Sequence, residues 1–412
     1  MKKVYILIIS FSIVSSLFSQ GVAVSPPSLS WSTTIGSSRS DQAIEIQQTL
    51  DGGYIMVGIT ESYGAGLDDV YLVKTDSKGT LAWSTTFGGS TTDYGQSIAT
   101  TRDGGYIITG GTCSYGMGSF DLYLIKTDNH GTLEWSTTFG GSGFDYGHYV
   151  LQAQDGGYIV AGYTQSFGAG SDDVYLIKTN QLGTLEWSTT IGGAKSDRGF
   201  SIAQCLDGGY IITGETNSNN SGYVLDVYLV KTDSLGNFQW QKYFGGSGYD
   251  RGYSVKQTQD GGFIITGETN SFGSDYDVYL IKTDPVGTLE WSTTLGGTGN
   301  QFSYCVQQAK DNGYIISGWS MSSSSAPSDV YIVKTDYLGT FEWSTTFGGS
   351  GDEYGMSVQQ TKDGGYIVAG MTNSYGAGSD DIYLIKLDGR PTSAELWSDM
   401  KTNYVKRYYL TQ

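Results

Sequence analysis

The chain has 412 residues, of which 61 are Gly and only 5 are Pro, and Tyr, Trp and Phe make up 14%. That aromatic content excludes a disordered protein and suits many short strands joined by tight turns. The formal net charge of -18 excludes nucleic acid and anionic membrane as partners, because both require a basic surface.

Met1-Lys2-Lys3, an apolar run from Val4 to Phe18 and then Ser19-Gln20-Gly21 read as a secretory signal peptide over residues 1–20. The run is shorter than the roughly 20 apolar residues of a membrane span. The mature chain is therefore expected to be secreted or held at the cell surface, with the periplasm an alternative, and not inserted in a membrane. Cys113, Cys205 and Cys305 fall at unmatched positions of a repeat and do not make a disulfide framework.

Trp31, Trp83, Trp135, Trp187, Trp240, Trp291 and Trp343 recur every 51 to 53 residues. A period near 50 built of strand-like phrases predicts propeller blades, so residues 28–388 are expected to form one all-β, seven-bladed propeller with four-stranded antiparallel blades. The first predicted element is a lone outer strand, Leu29 to Gly36. Each copy then supplies an inner strand A, two middle strands B and C, and an outer strand D that carries the Trp.

In the last copy strand A is placed at Ser357 to Thr361, and the Asp363-Gly364-Gly365 turn leads into strand B at Tyr366 to Thr372. Strand C runs from Asp381 to Leu387. Strand D of the copy before is placed at Thr340 to Thr346, after the turn Asp336-Tyr337-Leu338-Gly339. B and C are apolar at nearly every position, as expected of strands covered on both faces, so burial should peak there, between a wet central channel and a half-wet rim. The seventh copy lacks a D strand. Leu29 to Gly36 is expected to fill that place and close the ring, which removes exposed edges; the rival closer is Ala394-Glu395-Leu396-Trp397. Residues 389–412 form a tail of different composition.

The phrase Tyr366-Ile367-Val368-Ala369-Gly370, a polar loop, a Tyr-bearing strand C and Gly339-Thr340-Phe341-Glu342-Trp343 resembles the kelch repeat. The Asp336-x-x-Gly339-x-x-x-Trp343 part resembles the tryptophan-docking motif of quinoprotein-type propellers, and the whole is similar to repeats of secreted bacterial and archaeal proteins. These resemblances imply a propeller fold and little about activity. Kelch repeats end strand B in paired glycines, whereas here a single Gly remains at Gly162, Gly214 and Gly267, and only Gly110-Gly111 keeps the pair. Copper ligands of the galactose-oxidase branch are not carried over: His130 and His148 are expected at opposite faces, each as an ordinary surface residue. Asp93-Tyr94-Gly95-x-Ser97 partly resembles the Asp-box of sialidase-type propellers.

Connectivity puts A-to-B and C-to-D turns on one face, and D-to-A connections and B-to-C loops on the other. The second face varies, with Ser218-Asn219-Asn220-Ser221-Gly222 and Ser322-Ser323-Ser324-Ser325-Ala326-Pro327, and is the expected binding face. Two carboxylate rings lie there. Asp69, Asp121, Asp173, Asp226, Asp277, Asp329 and Asp381 open strand C; Asp41, Asp93, Asp145, Asp197, Asp250 and Glu353 sit in the D-to-A connections, with Gln301 the exception. Oxygen donors at Asp93, Asp145, Asp197 and Asp250 make a candidate Ca²⁺ site. The plainer account is that each Asp caps loop amides. No other cofactor is expected.

Blade six is the odd copy, with Asn300, Gln301, Trp319 and Met321 at positions other copies fill differently. Trp319 beside the serine loop is a candidate sugar-stacking platform. No catalytic residue emerges, since every acidic residue placed on this face has copies around the ring. The expected function is that of a monomeric, non-enzymatic binding scaffold for an extracellular glycan, peptide or matrix protein; the alternative is a glycan-acting hydrolase or lyase.

Overall fold

A computed structural model describes residues 25–219, 224–323 and 326–389. The expected signal peptide, the rival closer and nearly all of the tail lie outside the described residues. Seven four-stranded antiparallel sheets follow one another around an axis. Blade 1 spans 41–87, blade 2 spans 93–139, blade 3 spans 145–191, blade 4 spans 197–244, blade 5 spans 250–295 and blade 6 spans 300–347. Blade 7 takes three strands from 353–387 and its outer strand from Leu29–Ile35, which pairs antiparallel with Asp381–Leu387. The two ends of the repeat thus meet in one sheet, as expected.

Strands B and C are buried along nearly their whole length, as their unbroken apolar runs require. Their side chains do not fill one central core. They form seven apolar clusters, and each bridges two neighbouring blades. Every seam is stitched at its outer end by the Trp of one blade against the first aromatic of strand B in the next, from Trp31 on Tyr54 at 6.1 Å to Trp343 on Tyr366 at 6.1 Å. Trp31 joins blade 7 to blade 1, so the closing strand contributes to a seam as well as to a sheet.

Each strand C lysine is buried in its seam. Lys178 donates to the Thr179 carbonyl at 3.0 Å and pairs with Asp155 and Glu186, both at 2.8 Å. The exposed carboxylates keep their access to water while the ammonium is covered, an arrangement that neutralises the lysine without burying two charges.

Strand boundaries differ from expectation in three places, the closing strand ending at Ile35 rather than Gly36. Strand D of blade 6 is Phe341–Phe347, shifted by one residue. Strand A begins earlier than its alternation suggests: in blade 7 it runs Glu353–Gln360, so the carboxylate ring assigned to the D-to-A connections opens strand A instead. The reason is a β-bulge. The register shifts between Gly355 and Ser357, and equivalently in every blade. A bulge breaks the two-residue period that reveals a strand. It also explains the single Gly that ends strand B. The bulged strand drives its backbone against that glycine, where a Cβ on Gly162 would lie 1.7 Å from the Tyr146 carbonyl oxygen.

Candidate functional site

The bulge decides what the axis carries. Among the residues that line the axial cavity of about 400 Å³ are those extruded by the seven bulges: Ile44, Gln96, His148, Phe200, Tyr253, Tyr304 and Met356. Four consecutive blades place rings there in mutual contact. His148 meets Phe200 at 5.0 Å, Phe200 stacks on Tyr253 at 5.4 Å, and Tyr253 meets Tyr304 at 5.3 Å. Strand A enters from the loop face, so this aromatic arc lies on the loop side of the cavity. His148 is not the ordinary surface histidine expected from sequence. Burial, with Arg198 nearby, pushes it down to about 3, so it is neutral at physiological pH.

Deeper along the same strands the lining becomes polar and irregular. One residue past the bulge the seven copies read Glu45, Ser97, Tyr149, Ser201, Ser254, Cys305 and Ser357, and two residues further on Lys256 stands among Gln and small apolar residues. Glu45, Tyr149, Lys256 and Cys305 therefore occur once each, and all four border the cavity. Lys256 Nζ donates to the Tyr149 hydroxyl at 2.7 Å and lies 4.5 Å from the centre of that ring. Burial raises Glu45 above the usual carboxylate range, against hydrogen bonds from Ser97, Ile98 N–H (2.8 Å) and Tyr149 and the charge of Lys256. Tyr149 is held well above the ordinary phenol value, first by burial and then by Glu45. Burial likewise keeps Cys305 a thiol. At neutral pH this wall offers an ammonium, a phenol and a carboxyl group whose proton affinity is enhanced.

Between blades 3, 4 and 5 a second set of charges flanks the arc. Arg198 pairs with Asp172 at 2.9 Å and lies 4.9 Å over Tyr163, while Arg251 bridges Glu215 at 2.7 Å and Glu268 at 2.5 Å. Each charge has an opposite partner, so the set ties blades together and orients the arc.

The residues singled out from sequence go elsewhere. Asp93, Asp145, Asp197 and Asp250 are each essentially buried in their own blade. Asp145 accepts from the Thr164 hydroxyl, from Ser166 at 2.5 Å and from Gly141 N–H at 2.8 Å, and Asp93 and Asp197 repeat the pattern. Asp250 accepts from Ser271 and Gly246. The structure does not bring the four together, and no group of three or more His, Cys, Asp or Glu is placed to hold a metal among the described residues. The plainer account of these carboxylates as loop caps is the one their geometry supports. Gln301 fits the same box, accepting from Gly297 N–H at 2.8 Å. It is the ring's amide version and is buried.

Asn300 accepts from Tyr276 N–H at 3.0 Å and donates to the Met321 sulfur at 3.8 Å. Trp319 is packed, with Phe302 stacked at 4.1 Å, Tyr354 edge-on at 5.2 Å and its indole N–H donated to Tyr304 at 3.1 Å. Its ring supports the arc through Tyr304 rather than standing free for a sugar. In the strand C ring Asp173 accepts from Ala169 and Gly170 N–H groups at 2.9 and 3.0 Å and so shapes the loop before it, and Asp69 and Asp381 do the same in their blades.

The two faces titrate in opposite senses. On the turn face the Thr49 hydroxyl holds Asp51 at about 2, Lys74 and Gly53 adding to it against desolvation. Asp103, Asp155, Asp207, Asp260 and Asp363 are lowered likewise, their Lys and Gly partners, with a Thr hydroxyl at Asp103, Asp260 and Asp363, outweighing burial. On the loop face burial raises Asp121, Asp173, Asp277 and Asp329. A lowered carboxylate contributes stability that is present above its unfolded value, roughly 3.9, and is lost as pH falls through the folded one. A raised carboxylate costs stability above its folded value, and that cost disappears as pH falls toward the unfolded one. The melting temperature is therefore expected to rise as pH falls toward the carboxylate range, where the raised groups take up protons, and to drop below about 4, where the lowered groups lose their charge. A scanning-fluorimetry series that declines steadily from pH 7 downward would contradict the assignment.

Fold and cavity together define the class: a seven-bladed β-propeller whose bulged inner strands carry singular side chains on its axis. No family model matches the chain. An uncharacterized WD repeat-containing protein of Acanthamoeba polyphaga mimivirus is 22% identical, with 60% of this chain and 20% of that protein covered, so this chain spans about a fifth of its relative's length. Among solved structures, the Pan2 WD40 domain of Neurospora crassa superposes with a TM-score of 0.53 at 10% identity over 84% of this chain and 90% of that one. A fungal copper alcohol oxidase gives 0.53 at 12% identity over 88% and 76%. YCF48 bound to a D1 peptide gives 0.50 at 10% identity over 90% and 100%. At such identities the likeness concerns the fold alone. No helix among the described residues is long and apolar enough to cross a membrane.

Proposed function

We propose that this protein is a secreted or cell-surface binding scaffold that receives its ligand, a glycan or a peptide, at the loop-side mouth of the axial cavity. The observation that carries the reading is the arc His148, Phe200, Tyr253 and Tyr304. In a chain that otherwise repeats itself, four neighbouring blades place large rings at the bulged position of strand A, which borders the axial cavity. Aromatic rings supply apolar contact area together with a polar tip, which suits recognition of ligands that are partly apolar and partly hydroxylated. YCF48, a propeller of the same fold, is bound to a peptide, which fits such use of a propeller surface.

Array binding of the mature protein tests the reading. A Phe200→Ala, Tyr253→Ala double variant is expected to bind at least tenfold more weakly, about 1.4 kcal/mol. A Tyr115→Ala, Phe167→Ala variant of the outer loops is expected to bind normally. Loss of binding in the loop variant alone would move the site off the axis. Binding is expected to be independent of Ca²⁺, because the candidate aspartates are already engaged. The second reading, a glycan-acting hydrolase or lyase, is favoured by one observation: Glu45, Tyr149 and Lys256 are titratable groups in an arrangement found once in the ring.

A further inference from the structure

Besides His148, which is neutral at physiological pH, the acidic and basic side chains that line the cavity are Glu45 and Lys256. They are not equally available. The Glu45 carboxylate is turned into the wall, where Ile98 N–H, Ser97 and Tyr149 occupy it. Lys256 has no carboxylate within ion-pairing distance among the described residues, unlike the strand C lysines, which pair with one or two. Among the described residues its one hydrogen-bond partner is the Tyr149 hydroxyl. An ammonium has three N–H donors and no acceptor, so two remain for the cavity.

Two of the three glutamines at the same depth add to this bias, the third, Gln47, donating its –NH₂ to the Ile98 carbonyl at 2.7 Å. Gln359 accepts from Gln48 N–H at 2.5 Å and Gln307 from Gln360 N–H at 3.4 Å. Those bonds engage the amide oxygens, and the –NH₂ ends of these two cavity-lining residues make no hydrogen bond among the described residues. A protein that is acidic overall thus presents, at the bottom of its aromatic mouth, a floor made of donors. Donors converging with a cation on an enclosed space complement an anion.

We propose that this floor takes the carboxylate of an acidic sugar, with Lys256, Gln307 and Gln359 donating to it and the rings of Phe200, Tyr253 and Tyr304 flanking the pyranose. A cavity of about 400 Å³ falls at the small end of ligand pockets, roughly 300 to 1,000 Å³, which suits the end of a glycan rather than its middle. The inference rests on the reading of the cavity as the binding site and adds the ligand's charge.

The test is calorimetric titration of the mature protein with galacturonate oligosaccharides, their neutral galactose counterparts and a short peptide with a free carboxyl end. The uronate is expected to bind, the neutral sugar at least tenfold more weakly. Lys256→Gln should lose about tenfold toward the uronate with an unchanged melting temperature, and Lys256→Arg should restore it. Equal binding of neutral and acidic sugars, wild-type affinity in Lys256→Gln, preference for the peptide, or no uronate binding would each overturn the proposal. A neutral sugar whose binding is lost in Phe200→Ala, Tyr253→Ala but kept in Lys256→Gln sinks this inference alone. No ligand sensitive to either variant sinks the cavity reading as well.

Discussion

Removing residues up to Ile35 is expected to abolish cooperative folding, although every other strand keeps its sequence. The lost strand is paired with Asp381–Leu387 along its length, with each backbone hydrogen bond contributing about 1 kcal/mol net. It also places Ile35 and Trp31 in the seam between blades 7 and 1, each contributing about 2 kcal/mol by burial. Together these approach the total stability of a typical domain, roughly 5 to 15 kcal/mol. The truncation would also bare the edge of a strand with a buried, apolar sequence, which invites pairing between chains. Size-exclusion chromatography and thermal melts check this: aggregation or a broad, early transition is expected. A monodisperse truncated protein melting within about 5 °C of the full chain would show that the ring does not depend on its closing strand.

Gly162→Ala is expected to be the most damaging single change in blade 3. The added methyl would sit 1.7 Å from the Tyr146 carbonyl oxygen, 2.8 Å from its carbon and 3.1 Å from Gly147 Cα, all backbone atoms that cannot rotate away. Relief requires the bulge to open and the aromatic arc to move with it, so a loss of more than about 4 kcal/mol, of the size that marks a named structural failure, is expected. Chemical denaturation measures it. The adjacent Tyr163 supplies the control, since Ile59, Gly111, Glu215 and Met371 stand at that position in other blades; Tyr163→Ala should cost no more than about 2 kcal/mol. Equal losses for the two variants would mean that the close approach is not what confines this position to Gly.

The repeat made most of the architecture legible in the chain. A Trp every 51 to 53 residues, an Asp-Gly-Gly turn before the apolar run of every blade but the sixth, which has Asp311-Asn312-Gly313, and a missing outer strand at the end were enough to place blades, strands and closure. Strand A was the exception. Its opening carboxylate and glycine read as a connection, because the bulge that follows breaks the alternation from which a strand is recognised. That one misplacement hid the candidate site, since the extruded His148, Phe200, Tyr253 and Tyr304 then had no position from which to face the axis. The signal was present. Aligned on the strand A aliphatic present in every copy, Ile46 to Val358, the repeats show Glu45, Tyr149 and Lys256 as single departures, whereas the departures Gln301 and Trp319 of blade 6 serve capping and support.

Periodicity by itself determined the number of blades, the order of strands within them and the strand that joins the ends, because each copy must bury its apolar strands against the next and each edge must find a partner. Only the tertiary structure decided which side chains meet. Residues more than 200 positions apart, Glu45 and Lys256, share one cavity because seven bulges turn their neighbours toward a common axis. Convergence of that kind comes from closing the ring, a geometric condition no single copy of the repeat contains.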